Sequence, residues 1–523
     1  MFETAELGQS LSHEAFDRVA PALRLALLAL QSRLRDADFS VLMLFAGVDG
    51  AGKSESVNLL NEWLDPRWIV TRAYADPSVE ESERPHFWRY WRDLPAHGQI
   101  GLFLSGWYSQ AILDRVYRRS GESDFDYRLD HITAFERTLA DDGALILKFW
   151  MHLGRSEQKR RLRAFEADPQ QSWRVGKRDW RNWRRYDKFV GAAEQAIRRT
   201  DSGQCRWTIV DGHDPRHRSL TVLTVLRESL ERHLEARRLQ TQVSAAMTDA
   251  TRDRRADELR AVHDRRAALE QEAQRPGRPD NAAGGAVTIL NRLDLARAVP
   301  PTDYAEQWHA ARSELAHLVQ QARQRGIASI MLFEGWDAAG KGSAIRRITA
   351  SLDARLWQVL PVAAPNDEER AHHYLWRFWR QLPRAGRVLI LDRSWYGRVL
   401  VERVENLAQP EEWQRAYAEI NDFEDQLLHH GSLLMKFWLH ISPEEQYRRF
   451  KLREQTAYKQ WKLTDEDWRN RAKWPDYELA VHEMVERTST SGARWTLVEG
   501  NDKNFARLKI LRGLILRFRQ RLA

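Results

Sequence analysis

Short apolar runs recur along the chain, separated by longer stretches of helix-compatible sequence. In the C-terminal half they are Ala328–Phe333, Trp357–Leu360, Val388–Leu391, Leu433–Trp438 and Trp495–Val498. Runs of this length suit strands buried on both faces. Strands alternating with helices predict an α/β fold in which a parallel sheet is covered by helices on both sides. The first run ends in a glycine-rich turn, and helical sequence resumes at Ser343.

The pattern occurs twice. Met43–Lys53 reads MLFAGVDGAGK and Met331–Lys341 reads MLFEGWDAAGK, with eight of eleven positions identical at an offset of 288. The same offset pairs Trp88-Arg89 with Trp376-Arg377, Trp107-Tyr108 with Trp395-Tyr396, Lys148-Phe149-Trp150 with Lys436-Phe437-Trp438, and Trp207-Thr208 with Trp495-Thr496. One ungapped register across five blocks marks a tandem duplication. It predicts a first domain over 1–235, a linker over 236–287 and a second domain over 288–523. Within the linker, Thr251–Asp280 holds 15 charged residues of 30 and leads into Gln274–Asp280 and Ala282–Gly285, which reads as a solvated helix followed by a flexible connector.

Composition narrows the function classes. With 523 residues, 43% hydrophobic and 30% charged, the chain has material for two to four ordinary domains and lacks the bias of disordered or fibrous proteins. Its single cysteine, Cys205, excludes intrachain disulfides and multi-cysteine zinc sites. The apolar runs are far below the roughly 18–20 residues of a membrane span. The Met1-Phe2-Glu3 start lacks the basic region of a secretory signal, so a cytoplasmic location is expected. The net charge is +8 and only 13 of the 82 basic residues are Lys. Arginine-rich surfaces suit polyanions, although genome composition can produce the same bias.

Candidate chemistry begins at the turn after the first strand. Gly335-Trp-Asp-Ala-Ala-Gly340-Lys341-Gly342 and Gly47-Val-Asp-Gly-Ala-Gly52-Lys53-Ser54 share the G-x-x-x-x-G-K spacing of a phosphate-binding loop. There the backbone amides converge on an anion at a helix N-terminus and the lysine adds a charge. The expected cradle is Gly335, Ala338, Ala339, Gly340, Lys341, Gly342 and Ser343. Gly342 stands where a hydroxyl normally holds Mg²⁺, so the metal requires another anchor. Asp337 in the loop and Asp392 at the end of Val388–Asp392 are the candidates, and an Asp at the latter position can equally cap a helix.

The first copy has Leu104 and Ser105 in place of Asp392 and Arg393, and is therefore expected to be non-catalytic. Ser442-Pro-Glu-Glu445 reads as a helix start. Beyond it come Arg448, Arg449, Lys451 and Arg453, then Lys459, Lys462 and Asp465–Arg469. This stretch resembles a lid closing over negative charge, with a solvated basic face as the bland alternative. Trp376 and Trp379, like Trp88 and Trp91, are expected to face the core rather than stack on bases. Lys436 is read as neutralising a neighbouring carboxylate, and His373 and His440 as structural.

The blocks Phe333–Gly342, Leu391–Gly397 with Glu402-Arg403-Val404, and Lys436–His440 closely resemble the polyphosphate kinase 2 family. The tandem arrangement resembles its two-domain class, the polyphosphate:AMP phosphotransferases. The resemblance implies two thymidylate-kinase-like domains, each a five-stranded parallel sheet with flanking helices and a helical lid. It also implies transfer of the terminal phosphoryl group of inorganic polyphosphate to AMP, giving ADP. In that pattern Asp337 and Asp392 are the Mg²⁺-associated acids, Mn²⁺ being a substitute. Lys341 and the loop amides cradle phosphate, and Arg393 and Arg453 contact the transferring groups. Gly397 departs from the asparagine common in the family.

Three alternatives stay open. The acceptor could be ADP or GDP, the reaction could run toward polymer synthesis, or the chain could be a nucleic-acid-binding P-loop protein, a class whose signature motifs are lacking. No nucleic-acid or membrane partner is expected, and a homo-oligomer is compatible with the sequence.

Overall fold

The computed structural model describes residues 1–243, 288–456 and 465–523. Much of the predicted linker, including Thr251–Asp280, and the lid residues Lys459 and Lys462 therefore lie outside the described residues. The chain forms two compact units. The first takes Met1–Tyr74 and continues from Pro95 as far as the described residue 243; the second takes Ala75–Leu94 and resumes at residue 288. Residues 75–94, which the repeat assigns to the first copy, thus pack in the second unit. There the Trp91 ring stacks on Trp379, with centroids 5.8 Å apart.

Unit one holds β1 (Val41–Gly47), β2 (Ile69–Ala73), β3 (Ile100–Leu104), β4 (Leu145–His152) and β5 (Trp207–Asp211), ordered β2-β3-β1-β4-β5. Unit two holds β6 (Ser329–Gly335), β7 (Trp357–Pro361), β8 (Val388–Asp392), β9 (Leu433–His440) and β10 (Trp495–Glu499), ordered β7-β8-β6-β9-β10. All pairings are parallel, so both copies repeat one topology. Helices cover the faces, which explains why β6 and β9 are buried almost throughout and read as continuous apolar runs. The central strand β6 has β7 and β8 on one side and β9 and β10 on the other. The carboxyl end of such a strand, where the order of connections reverses, is where open α/β sheets bind ligands.

Behind each sheet sits a buried polar knot. Lys436 donates to Glu424 Oε2 (2.7 Å), the Tyr396 hydroxyl (2.8 Å) and the Thr488 carbonyl (2.8 Å). Lys148 repeats this with Glu136 (2.7 Å), Tyr108 (3.1 Å) and Thr200 (2.9 Å). The scarce lysine therefore does neutralise a carboxylate. Trp376 and Trp379, and Trp88 and Trp91, are buried as a core stripe. No described helix is long and apolar enough to cross a membrane.

Removing one partner of a buried pair strands the other charge. Lys436→Met is expected to destabilise unit two by about 3–5 kcal/mol. This is read as an earlier urea transition for that unit while the unit-one transition stays in place.

Candidate active site

The loop after β6 owes its shape to backbone positions and one arginine. Gly335 has φ +149°, and a Cβ there would collide with Leu439 on β9. Gly340, at φ +114°, is the left-handed N-cap of the helix Lys341–Thr349; its carbonyl accepts from the Ser343 and Ala344 amides (both 3.0 Å), so the Lys341 and Gly342 amides are the first-turn donors without a partner in the helix. Arg449, buried on the helix Pro443–Gln455, donates to the carbonyls of Ala338 (2.9 Å), Ala339 (3.0 Å), Gly500 (2.6 Å) and Asn501 (3.0 Å). These bonds hold the loop's carbonyls on one side and tie the loop to the end of β10. Lys341 Nζ folds onto the carbonyls of Gly335 (2.6 Å) and Trp336 (3.3 Å).

A cleft of about 800 Å³ opens over this loop, lined by Asp337 through Ser343, Asp392, Arg393 and Arg453. The structure thus brings the sequence-predicted site residues together, and Gly335 borders a smaller adjoining recess walled by Trp336, Trp438 and Tyr477. Asp337 Oδ2 accepts from Asn470 (2.9 Å) and Oδ1 faces Arg393 Nη2 at 3.4 Å. Burial works against the Arg393 charge, yet Asp337 and Glu334 raise its pKa. Asp392 Oδ2 lies 3.9 Å from where a Cβ on Gly342 would sit, so this carboxylate stands beside the loop at the position that lacks a hydroxyl. Two carboxylates bordering a phosphate loop offer the hard oxygen donors that Mg²⁺ takes.

Several residues at the site escaped the sequence reading. Arg346, Arg347, Lys503 and Arg507 line the same cleft. The Arg347 and Arg507 guanidiniums share the Ser343 hydroxyl at 2.8 and 3.2 Å. Burial lowers the pKa of Lys503 and Arg507, and neighbouring guanidiniums add to it. Glu334, buried at the end of β6, accepts from Ser394 (2.8 Å), and burial raises its carboxyl despite Lys341 nearby. Conversely, the basic helix expected to close over negative charge mostly serves other ends. Arg449 ties the loop, Arg448 pairs with Glu445 (2.7 Å) and Lys451 with Glu454 (2.9 Å), while Arg453 lines the cleft 4.0 Å from Asp467.

The first copy keeps the loop but not its surroundings. Arg161 ties its carbonyls as Arg449 does, reaching Gly50 (3.1 Å) and Gly212 (2.8 Å). A cleft of about 540 Å³ beside the loop includes Glu62, Arg161 and Arg218 and is otherwise lined by Glu55, Asn58, Leu59, Phe165, Pro215 and Ser219. At the offset of 288 these replace Ser343, Arg346, Arg347, Arg453, Lys503 and Arg507. Glu334 and Ser394 become Ala46 and Gly106.

Residues 10–238 and 299–522 both match the family described as Polyphosphate kinase 2 (PPK2). The chain belongs to the polyphosphate kinase 2 family. A polyphosphate:AMP phosphotransferase of Pseudomonas aeruginosa is 45% identical over 98% of this chain and 97% of its own length. One from Acinetobacter johnsonii is 36% identical over 91% and 90%. A GDP-polyphosphate phosphotransferase of Mycobacterium tuberculosis is 35% identical but covers 46% of this chain. The fold matches a crystal structure of a polyphosphate kinase 2 from Pseudomonas aeruginosa with TM-score 0.84 and 42% identity, covering 100% of this chain and 99% of that one.

His440, buried at the end of β9, accepts the indole N–H of the loop's Trp336 at Nδ1 (2.9 Å). Burial pushes its pKa from 6.5 down to about 4. The unfolded chain therefore gains the proton first as pH falls. The stability His440 contributes is complete above about pH 6.5 and drains away toward pH 4. His440→Gln, which keeps an acceptor without the titration, is expected to lose less melting temperature than the parent between pH 7 and pH 5.

Proposed function

We propose that the chain transfers the terminal phosphoryl group of inorganic polyphosphate to AMP, giving ADP, and that the second copy carries the reaction. The observation that supports this best is the meeting, in one cleft, of a phosphate loop, two aspartates and the cations Arg346, Arg347, Arg453, Lys503 and Arg507. A mononucleotide needs no such row of cations, whereas a polyanion several phosphates long does.

In the transfer an oxygen of the AMP phosphate forms a bond to the terminal phosphorus while the bond to the penultimate phosphate's bridging oxygen breaks. The shortened polymer leaves with that electron pair. The acceptor is already an anion, so no general base of tuned pKa is required, and the work is positioning and charge neutralisation. Lys341 leaves its loop carbonyls to meet phosphate oxygens, the loop amides fix the group, and Arg393 and Arg453 offset charge on the oxygens in flight. A Mg²⁺ held by Asp337 and Asp392 would supply further neutralisation of those oxygens.

The relatives named for AMP span both copies, while those named for ADP or GDP align with less than half of this chain. That association favours AMP as acceptor. The first copy, with its cations replaced and Leu104 for Asp392, is read as non-catalytic.

Pure protein incubated with polyphosphate, Mg²⁺ and either AMP, ADP or GDP is expected to phosphorylate AMP fastest. Asp392→Asn is expected to cut kcat by at least about 100-fold. Arg346→Gln with Arg347→Gln is expected to raise KM for polymer and flatten its salt dependence. ADP forming from AMP no faster than background would contradict the proposal.

A further inference from the structure

The stretch that follows β4 in the first copy carries most of the chain's positive charge. Residues 155–188 hold 12 basic and 5 acidic residues, a net +7 against +8 for the whole chain, whereas the corresponding residues 443–476 hold 9 and 7. Lys177, Arg181, Arg184 and Lys188 recur at i, i+4, i+7 and i+11 along the helix Lys177–Trp183 and into the helix Tyr186–Thr200, and all four are exposed. That spacing sets them in a row, about 16 Å long at helical rise. The second copy has Asp465, Arg469, Ala472 and Asp476 at these positions, so the row is particular to the first.

Among the described residues none of these four cations has an ion-pair partner, and the acids of the stretch serve elsewhere. Glu157 pairs with Arg160 (2.7 Å) and Asp187 with Arg155 (2.9 Å). Glu166 accepts the Trp180 indole N–H (3.0 Å), Asp168 accepts from the Gln171 side chain (2.6 Å), and Asp179 accepts the Gly176 amide (2.7 Å) at the helix start. That start breaks a local rule. A helix N-terminus favours acids and disfavours cations; the second copy obeys with Asp465, Glu466 and Asp467, whereas the first opens with Lys177-Arg178. A local preference overridden in favour of exposed charge points to a ligand and not to the fold. Trp180 and Trp183 pack edge to face at 5.9 Å, and Trp173 is the one large apolar side chain of the stretch that is mostly exposed. One ring is neither a stacking platform for bases nor an apolar face for a bilayer.

We infer that this row is a docking surface for long-chain inorganic polyphosphate, separate from the glycine loop of the first copy. None of the four cations lines the cleft beside that loop. A linear polyanion charged at every unit matches a row of cations with no groups for reading bases. A polymer bound here is retained by the same chain that carries the catalytic cleft, which raises its effective concentration without a new contact at the reacting end. The choice of this polymer as occupant rests on the reaction proposed above.

The test is binding of fluorescently labelled long-chain polyphosphate to the full chain without AMP, read by anisotropy across a salt series. Lys177→Asp with Arg184→Ala and Lys188→Asp installs the second copy's residues at exposed positions. It is expected to weaken polymer binding by at least about tenfold and to flatten its salt dependence. The melting temperature should hold or rise, because an acid suits the helix start. With AMP present, KM for the polymer should rise while kcat stays unchanged. Stripe-dependent binding in a chain that forms no ADP would support the surface and count against the reaction alone. Polymer binding unaltered by the three substitutions would overturn the surface, as would single-stranded DNA of equal charge displacing the label more readily than unlabelled polyphosphate does.

Discussion

A loop can hold phosphate only if its amides face the ligand and its carbonyls are engaged elsewhere. In the second copy that condition rests on Arg449, which donates to four backbone carbonyls, two in the loop and two after β10. The guanidinium fork is suited to this because its donors lie in one plane and reach separate acceptors at once, which an ammonium cannot do. The left-handed turn at Gly340 and the close approach of Gly335 to β9 then become the consequence of a fixed loop. Everything the cleft can do with an anion follows from that arrangement.

Because Arg161 makes the equivalent bonds in the first copy, both copies have a cradle, and what separates them is the charge around it. The second copy surrounds its loop with carboxylates at the end of β8 and in the loop, and with cations from three helices. The first replaces those cations with Asn58, Leu59, Phe165, Pro215 and Ser219 while placing Arg218 over the loop glycine. Duplication followed by divergence of the lining, with the scaffold retained, leaves one cleft rich in cations and the other poorer in them.

The strands, the duplication and the phosphate loop were legible in the sequence because each rests on local pattern: apolar runs, a fixed offset and glycines at set spacing. Asp392 was legible because it ends a strand beside that loop. Arg449 was not, since on a helix where four of six residues are basic, only the fold tells which one turns inward to the carbonyls. Arg346 and Arg507 lie 161 positions apart and meet only through the packing of two helices onto one sheet. Glu334 sat unremarked within a motif, although an acid on an otherwise apolar, buried strand was a usable signal. The excursion of residues 75–94 into the second unit was invisible to an ungapped repeat, which matches residues by register and not by the unit they pack in.

The most direct test of the account is a crystal structure of the chain with AMP, Mg²⁺ and a non-hydrolysable polyphosphate. The account predicts polymer running along Arg346, Arg347, Lys503 and Arg507, with its terminal phosphate on the Gly340–Gly342 amides and the metal between that phosphate and Asp392. Polymer lying in the first copy's cleft, or Asp337 and Asp392 both turned away from any metal in the second, would contradict it.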